Sequence, residues 1–293
     1  MKNRKRMNEA LAQIIFTGPA IFIFASVIVT SFAYGMYLTF TNWDGLSKTM
    51  EFVGLDNYAR IITDPKFWTS MWITIKYVFF SLIIVNALAF FIAYLLTSGM
   101  KGQTLLRSGF FSPQIIGGII LGMLWNLIFS NVLTRIGDFY NIGILKMSWI
   151  ANEDMAFWAL VVGFVWQYTG YMMMIYIAGF TNVPKELLEA SDIDGASGLM
   201  RMKHIIIPFM VPAFVICLFF SVQRGFMVYD VNLSLTNGGP FRSTELISMD
   251  VYQRAFLERD YGGGQAAAFF LFLLVLIVTV SQTYFMKKME VEA

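Results

Sequence analysis

The sequence predicts an all-α fold: a polytopic membrane protein with six transmembrane helices. Three observations carry that prediction. Hydrophobic residues make up 57% of the 293 residues and charged ones only 14%, a composition too apolar to cover a water-soluble domain of this length. The apolar residues gather into six runs close to the ~20 residues that a bilayer core requires. Charge is almost absent from those runs and collects between them.

The six runs are 14–40, 67–96, 110–129, 156–180, 205–220 (with a continuation toward Met227) and 265–285. The first follows the basic stretch from Lys2 to Arg6. It is far longer than the apolar part of a signal peptide, so it reads as a retained span. The second holds Lys76, the single charge within any run. Its stem suits an interface anchor whose ammonium snorkels outward, and a residue of an ion pathway is the competing reading. The third carries Pro113, Gly117, Gly118 and Gly122, which allow a kink or close helix approach. The fifth is short and holds Pro208 and Pro212, whose freed carbonyls need neighbours. With no internal repeat visible, residues 1–293 read as one transmembrane domain.

Orientation follows from Lys and Arg. With the N-terminus inside, the inner segments hold Lys2, Arg4, Lys5, Arg6, Lys101, Arg107, Lys185, Arg201, Lys203, Lys287 and Lys288. The outer segments hold fewer basic residues over nearly twice the length. Both termini and the segment 184–208 are therefore expected in the cytoplasm. The outer segments include a loop-like stretch, 131–154, and a longer one, 221–264. The latter contains Asn237-Gly238-Gly239-Pro240, a turn by its dihedral requirements.

Several function classes are disfavoured. Net charge of +2 leaves no footprint for nucleic acid. One histidine, His204, and one cysteine, Cys217, build neither a His/Cys metal centre nor a disulfide. No G-x-x-x-x-G-K-S/T loop is present to hold ATP, no T-V-G-Y-G filter, and no nucleophile–base pair, so no catalytic residue is assigned. The spans lack the carboxylates that ion-driven carriers use. A polar, uncharged interior remains, suited to a neutral, hydroxyl-rich solute.

The segment 184–208 is a charged, helix-prone island in this apolar chain. Pro184 stands where a helix starts, Glu186 and Glu189 lie in its early turns, and Gly195 and Gly198 break it. A passive connector and a knob shaped for a partner's groove both fit these features.

Glu189-Ala190-Ser191, three residues, Gly195, nine residues, then Ile205 and Ile207-Pro208 resemble the signature loop of ABC-importer permeases, E-A-A-x3-G-x9-I-x-L-P. Ser191 replaces the second alanine and Ile207 the leucine. The wider V-P-K-E-L-L-E-A-S-D-I-D-G-A-S is similar to the carbohydrate-uptake branch, which contains the maltose-transporter permeases. Phe52-Val53-Gly54-Leu55-Asp56-Asn57-Tyr58 with Phe67-Trp68, and Leu235 to Pro240 with Ser243-Thr244, extend the resemblance along nearly the whole chain. Ile73-Thr74 departs from the usual Asn-Thr.

The resemblance implies a type I ABC importer permease fold in a bacterial or archaeal plasma membrane. It implies a second homologous permease subunit, two copies of a cytoplasmic ATPase and an extracytoplasmic solute-binding protein. ATP and Mg would sit on the ATPases and no cofactor on this chain. Substrate would be a carbohydrate, an oligosaccharide foremost. Glycerol phosphate or an acidic sugar polymer is the runner-up, and an autonomous secondary carrier a more distant one. ATPase docking falls to Glu186, Leu187, Leu188, Glu189, Ala190, Ser191, Asp194 and Gly195, with the two leucines as anchors. For the substrate pathway the resemblance points to the third and fourth spans. There Gly122 and Asn126 share a stripe beside Trp125, and Gln167 and Tyr171 share a face with Tyr168 and Gly170 nearby. Amides and rings suit sugars, while helix–helix packing competes for each of these residues. Asn86, Gln223 and Arg224 are weaker pathway candidates.

Overall fold

The computed structural model describes residue 13 and residues 15–288. Lys2, Arg4, Lys5 and Arg6, on which part of the orientation rests, and Ile14, where the first run begins, lie outside the described residues. The chain is helical nearly throughout, with one isolated bridge, Thr41 to Phe52, outside the helices. The main helices are α1 (Ile15–Leu38), α2 (Asp56–Thr63), α3 (Pro65–Thr97), α4 (Gln103–Phe111), α5 (Gly118–Tyr140), α6 (Glu153–Thr181), α7 (Lys185–Ile193), α8 (Gly198–Phe209), α9 (Val211–Phe226), α10 (Asp230–Leu235), α11 (Ile247–Tyr252) and α12 (Tyr261–Lys287), and a single further turn of helix spans Gly143–Lys146.

Among the described residues five helices are long and apolar enough to cross a bilayer, and α8 with α9, bent by 69° at their junction, gives a sixth if the pair is one span. The bend falls at Met210, between Pro208 and Pro212. Each proline removes an N–H donor and crowds the preceding turn, so an unbroken helix is unavailable there.

The third span departs from expectation. Apolarity placed it at 110–129, but a separate helix α4 ends at Phe111 and the span runs from Gly118 to Tyr140. Pro113 sits in a single 3₁₀ turn, Ser112–Ile115, and the extended backbone of Ile116 and Gly117 then restarts the helix. Part of the stretch read as an outer loop, 133–140, is consequently helix. The last span begins earlier than expected, at Tyr261.

The described residues form two compact units. One comprises the chain up to Asp64 with Val251–Phe270, the other Pro65–Asp250 with the chain after Phe270. In the first, Asn57 on α2 donates to the carbonyls of Thr39 and Thr41, both at 2.8 Å, and Tyr58 reaches Thr39 Oγ1 at 2.9 Å. Arg60 pairs with Asp260 at 3.0 Å, and Arg254 with Asp64. Asp44 accepts from the Ser47 and Leu46 amides and the Ser47 hydroxyl, which pulls its carboxyl down to about 2. The most apolar part of α1 buries nothing against its own chain.

In the second unit α3 and α6 pack along their lengths, and α9 leans on both. Val85, Ala89 and Ala93 recur every four residues on α3, all at 0% exposure, a small-residue stripe that lets backbones approach. Asn86 lies beside it and ties three helices. Its amide donates to Ser221 Oγ at 2.9 Å on α9, and its oxygen accepts from Tyr176 at 2.8 Å on α6. That arrangement commits Asn86 to helix–helix bonding. The ammonium of Lys76 lies 5.9 Å over the Phe157 ring, a cation–π contact.

Between α9 and α11 the chain is knitted by its own polar side chains. Asn232 donates to the Thr244 carbonyl at 2.8 Å, Thr236 to Asn232 Oδ1 at 2.7 Å, and Thr244 to Thr236 at 2.8 Å. Lys66 lies between Asp250 at 3.4 Å and Glu245 at 3.8 Å, and Arg242 closes on Glu245. Asn237 and Gly238 turn the chain with positive φ, as their sequence predicts.

Candidate functional site

Two regions hold the residues singled out from sequence. The first is the elbow joining α7 to α8. Pro184 caps α7 with extended backbone, and Glu186 lies in the first turn. Helix α7 ends in a Schellman arrangement: the Gly195 amide donates to the Asp192 carbonyl at 3.2 Å and the Ala196 amide to the Ser191 carbonyl at 2.9 Å. Gly195 has φ +67°, while a Cβ there would meet nothing within 4 Å. The backbone conformation, not crowding, calls for glycine. Ser197 then caps α8 by accepting from the Met200 amide at 3.3 Å, and Arg201 pairs with Asp192 across the elbow.

Of the docking residues, Glu186, Glu189, Ala190, Asp194 and Gly195 are exposed, Leu188 is half-buried, and Ser191 is buried, its hydroxyl on the Leu188 carbonyl at 2.7 Å. Leu187 is 40% exposed. Two further apolar side chains stand barer: Ile193 at 88% and Leu199 at 84%. Sequence reasoning settled on residues 186–191 with Asp194 and Gly195 and passed over these two. The signal was a large aliphatic residue set between Asp192 and Asp194 and another directly after Gly198.

The second region is a polar cavity of about 570 Å³ within the larger unit. Gln167 and Tyr168 of α6 line it, as do Gln114 from the 3₁₀ turn and Gly118 of α5. Gln223 and Arg224 from the end of α9 and the stretch from Met227 to Val231 complete the wall. Gln167 is 7% exposed and donates to the Ile116 carbonyl at 3.3 Å, which anchors α6 to the broken start of α5. Gln114 Oε1 is buried with no donor facing it.

The other pathway candidates lie elsewhere. A Cβ on Gly122 would strike Ser234 Oγ and the Val231 carbonyl, so Gly122 lets α10 press onto α5. Asn126 donates to the Leu235 carbonyl of α10 at 2.7 Å. Tyr171 meets Phe220 edge-on at 5.5 Å. Trp125 stacks on Phe129 and meets Trp166 edge-on. Gly170 abuts the Phe110 carbonyl. Trp125 and Gly170 line a separate apolar groove of about 890 Å³ between α3, α4 and α6. Sequence reasoning missed Gln114, Tyr229 and Asp230. Gln114 was hidden inside an apolar window and the others inside a presumed loop.

The model of the family described as "Binding-protein-dependent transport system inner membrane component" matches residues 3–291. The chain belongs to this family. It is thus a multi-pass plasma-membrane permease component. It is 35% identical over 291 residues to the "Probable starch degradation products transport system permease protein AmyD" of Thermoanaerobacterium thermosulfurigenes, with 99% of each chain covered. Its fold is like that of a chain in the crystal structure of a bacterial ABC transporter involved in import of the acidic polysaccharide alginate (TM-score 0.82, 15% identity, 98% of this chain and 99% of that one). A second alginate transporter structure, in complex with alginate pentasaccharide-bound periplasmic protein, superposes at TM-score 0.79 and 16% identity over 97% of this chain and 95% of the other. The permease therefore has the type I ABC importer permease fold.

Proposed function

We propose that this permease passes a carbohydrate, an oligosaccharide foremost, into the cytoplasm by ATP-driven alternating access. Hydrolysis belongs to two copies of a cytoplasmic ATPase, with ATP and Mg bound there, and this chain carries no catalytic group. A second homologous permease completes the path, lipid covers the apolar outer faces, and an extracytoplasmic solute-binding protein delivers the sugar. Both termini and the 184–208 elbow lie in the cytoplasm.

The observation that carries the reading is the cavity itself. Three glutamine amides and two tyrosines converge in about 570 Å³, within the ~300–1,000 Å³ of small-molecule sites. Amides donate and accept, which matches hydroxyl groups, and rings cover the apolar faces of a pyranose. The AmyD relative, named for starch degradation products, supports the same substrate class. On the cytoplasmic side, Ile193 and Leu199 stand bare and Leu187 partly so, with the exposed acids Glu186, Glu189 and Asp194 nearby in the sequence, the pattern of anchors awaiting a groove. Closure of the ATPases would move the elbow as a rigid piece, held by its Schellman turn and the Arg201–Asp192 pair, and so tilt α8 and α9.

Arg224 favours a second reading, an acidic sugar or glycerol phosphate as solute. Uptake of labelled maltotriose by vesicles holding the assembled importer tests the main reading. ATP-dependent uptake that Gln167→Ala reduces at least several-fold, with ATPase binding retained, is the expected result. Uptake by this chain with no ATPase present would overturn it.

A further inference from the structure

We propose that the cavity selects an uncharged saccharide by setting one fixed cation, Arg224, against one fixed anion, Asp230. The proposal rests on reading the cavity as part of the sugar path. Both residues are exposed and both line the cavity. Among the described residues neither is in an ion pair, whereas Arg60, Lys66, Arg201, Arg242 and Arg254 each hold a carboxylate. The remaining polar lining is amide and phenol, so the wall sums to zero charge.

An unpaired guanidinium and an unpaired carboxylate in one cavity leave both free for a solute. A sugar hydroxyl accepts from Arg224, and another donates to Asp230. Gln114 lines the same cavity beside them. An acidic sugar gains from Arg224 about what it loses to Asp230, and its own carboxylate must still shed water. A neutral sugar meets no such opposition. Asp230 is thus the specificity-determining residue against anions, and Arg224 a retaining contact.

The test is equilibrium binding to the assembled importer in nanodiscs, without solute-binding protein, of maltotriose (neutral) and trigalacturonate (anionic, with the same number of rings). Wild type is expected to favour maltotriose. Asp230→Asn should raise trigalacturonate affinity relative to maltotriose by about three- to tenfold, the effect of one charge across roughly 10 Å of wet protein. Arg224→Gln should move that ratio the opposite way by a similar factor. A ratio unmoved by Asp230→Asn, or a wild type that favours trigalacturonate, overturns the selection. If maltotriose binds and Gln167→Ala weakens it while the ratio stays fixed, the sugar path stands and the charge selection alone falls. If neither probe binds wild type, both readings fall together.

Discussion

Truncating Ile193 and Leu199 to alanine should weaken ATPase docking more than truncating Leu187. These side chains are 88% and 84% exposed, so nearly all their apolar surface remains available to a partner. Each truncation removes three carbons, worth about 2 kcal/mol when fully buried at ~0.8 kcal/mol per methylene. That is roughly a 30-fold loss of affinity per residue, and larger for the pair. Leu187→Ala exposes less new surface, because that residue is already more than half covered by its own chain at 40% exposure, and should cost only a few-fold. The assay is titration of the cognate ATPase onto the detergent-purified permease, read by co-elution or fluorescence anisotropy. Because neither side chain packs in the isolated chain, thermal stability of the variants should match wild type. A double variant that binds the ATPase within about threefold of wild type would show that the elbow's apolar residues are not anchors, since two buried aliphatics cannot be lost so lightly.

Three other expectations follow from the same geometry. Gly195→Val places a β-branched residue at φ +67°, about 1–2 kcal/mol of backbone strain confined to the elbow. Uptake should fall with insertion intact, and unchanged uptake would remove the turn from coupling. Asn86→Leu strands the buried Tyr176 hydroxyl, which bonds to Asn86 at 2.8 Å. A stability loss of about 1–2 kcal/mol should appear as a lower unfolding midpoint in detergent, and an unshifted midpoint would deny the tie any weight. A cysteine at Ser197, exposed where α8 begins, should react with an impermeant maleimide only from the cytoplasmic face. Labelling from outside would invert the orientation.

What the sequence determined by itself is local or additive. Transfer of apolar side chains into lipid sums residue by residue, so run length alone located the spans near 67–96 and 156–180 that became α3 and α6. Proline and glycine act on their own dihedrals, which is why Pro184 and Gly195 marked the start of α7 and the elbow correctly, while the bend between Pro208 and Pro212 was not foreseen. The signature loop was legible for the same reason: its spacing lies within one short stretch. Hydropathy could not see the break between Ser112 and Gly117, because an average over a window does not register which backbone N–H is missing.

The cavity was decided only by tertiary structure. Gln114, Gln167, Arg224 and Asp230 come from four separate segments, and no periodicity relates them. Gln167 and Tyr171 share a face on an isolated helix. Packing nonetheless directed Gln167 to the cavity wall and Tyr171 onto Phe220. Gly122, Asn126, Trp125 and Gly170 have the chemistry of a path, yet their neighbours occupy them with helix contacts or an apolar groove. Which polar group meets solute depends on what stands opposite it, and in a bundle that partner arrives from far along the chain.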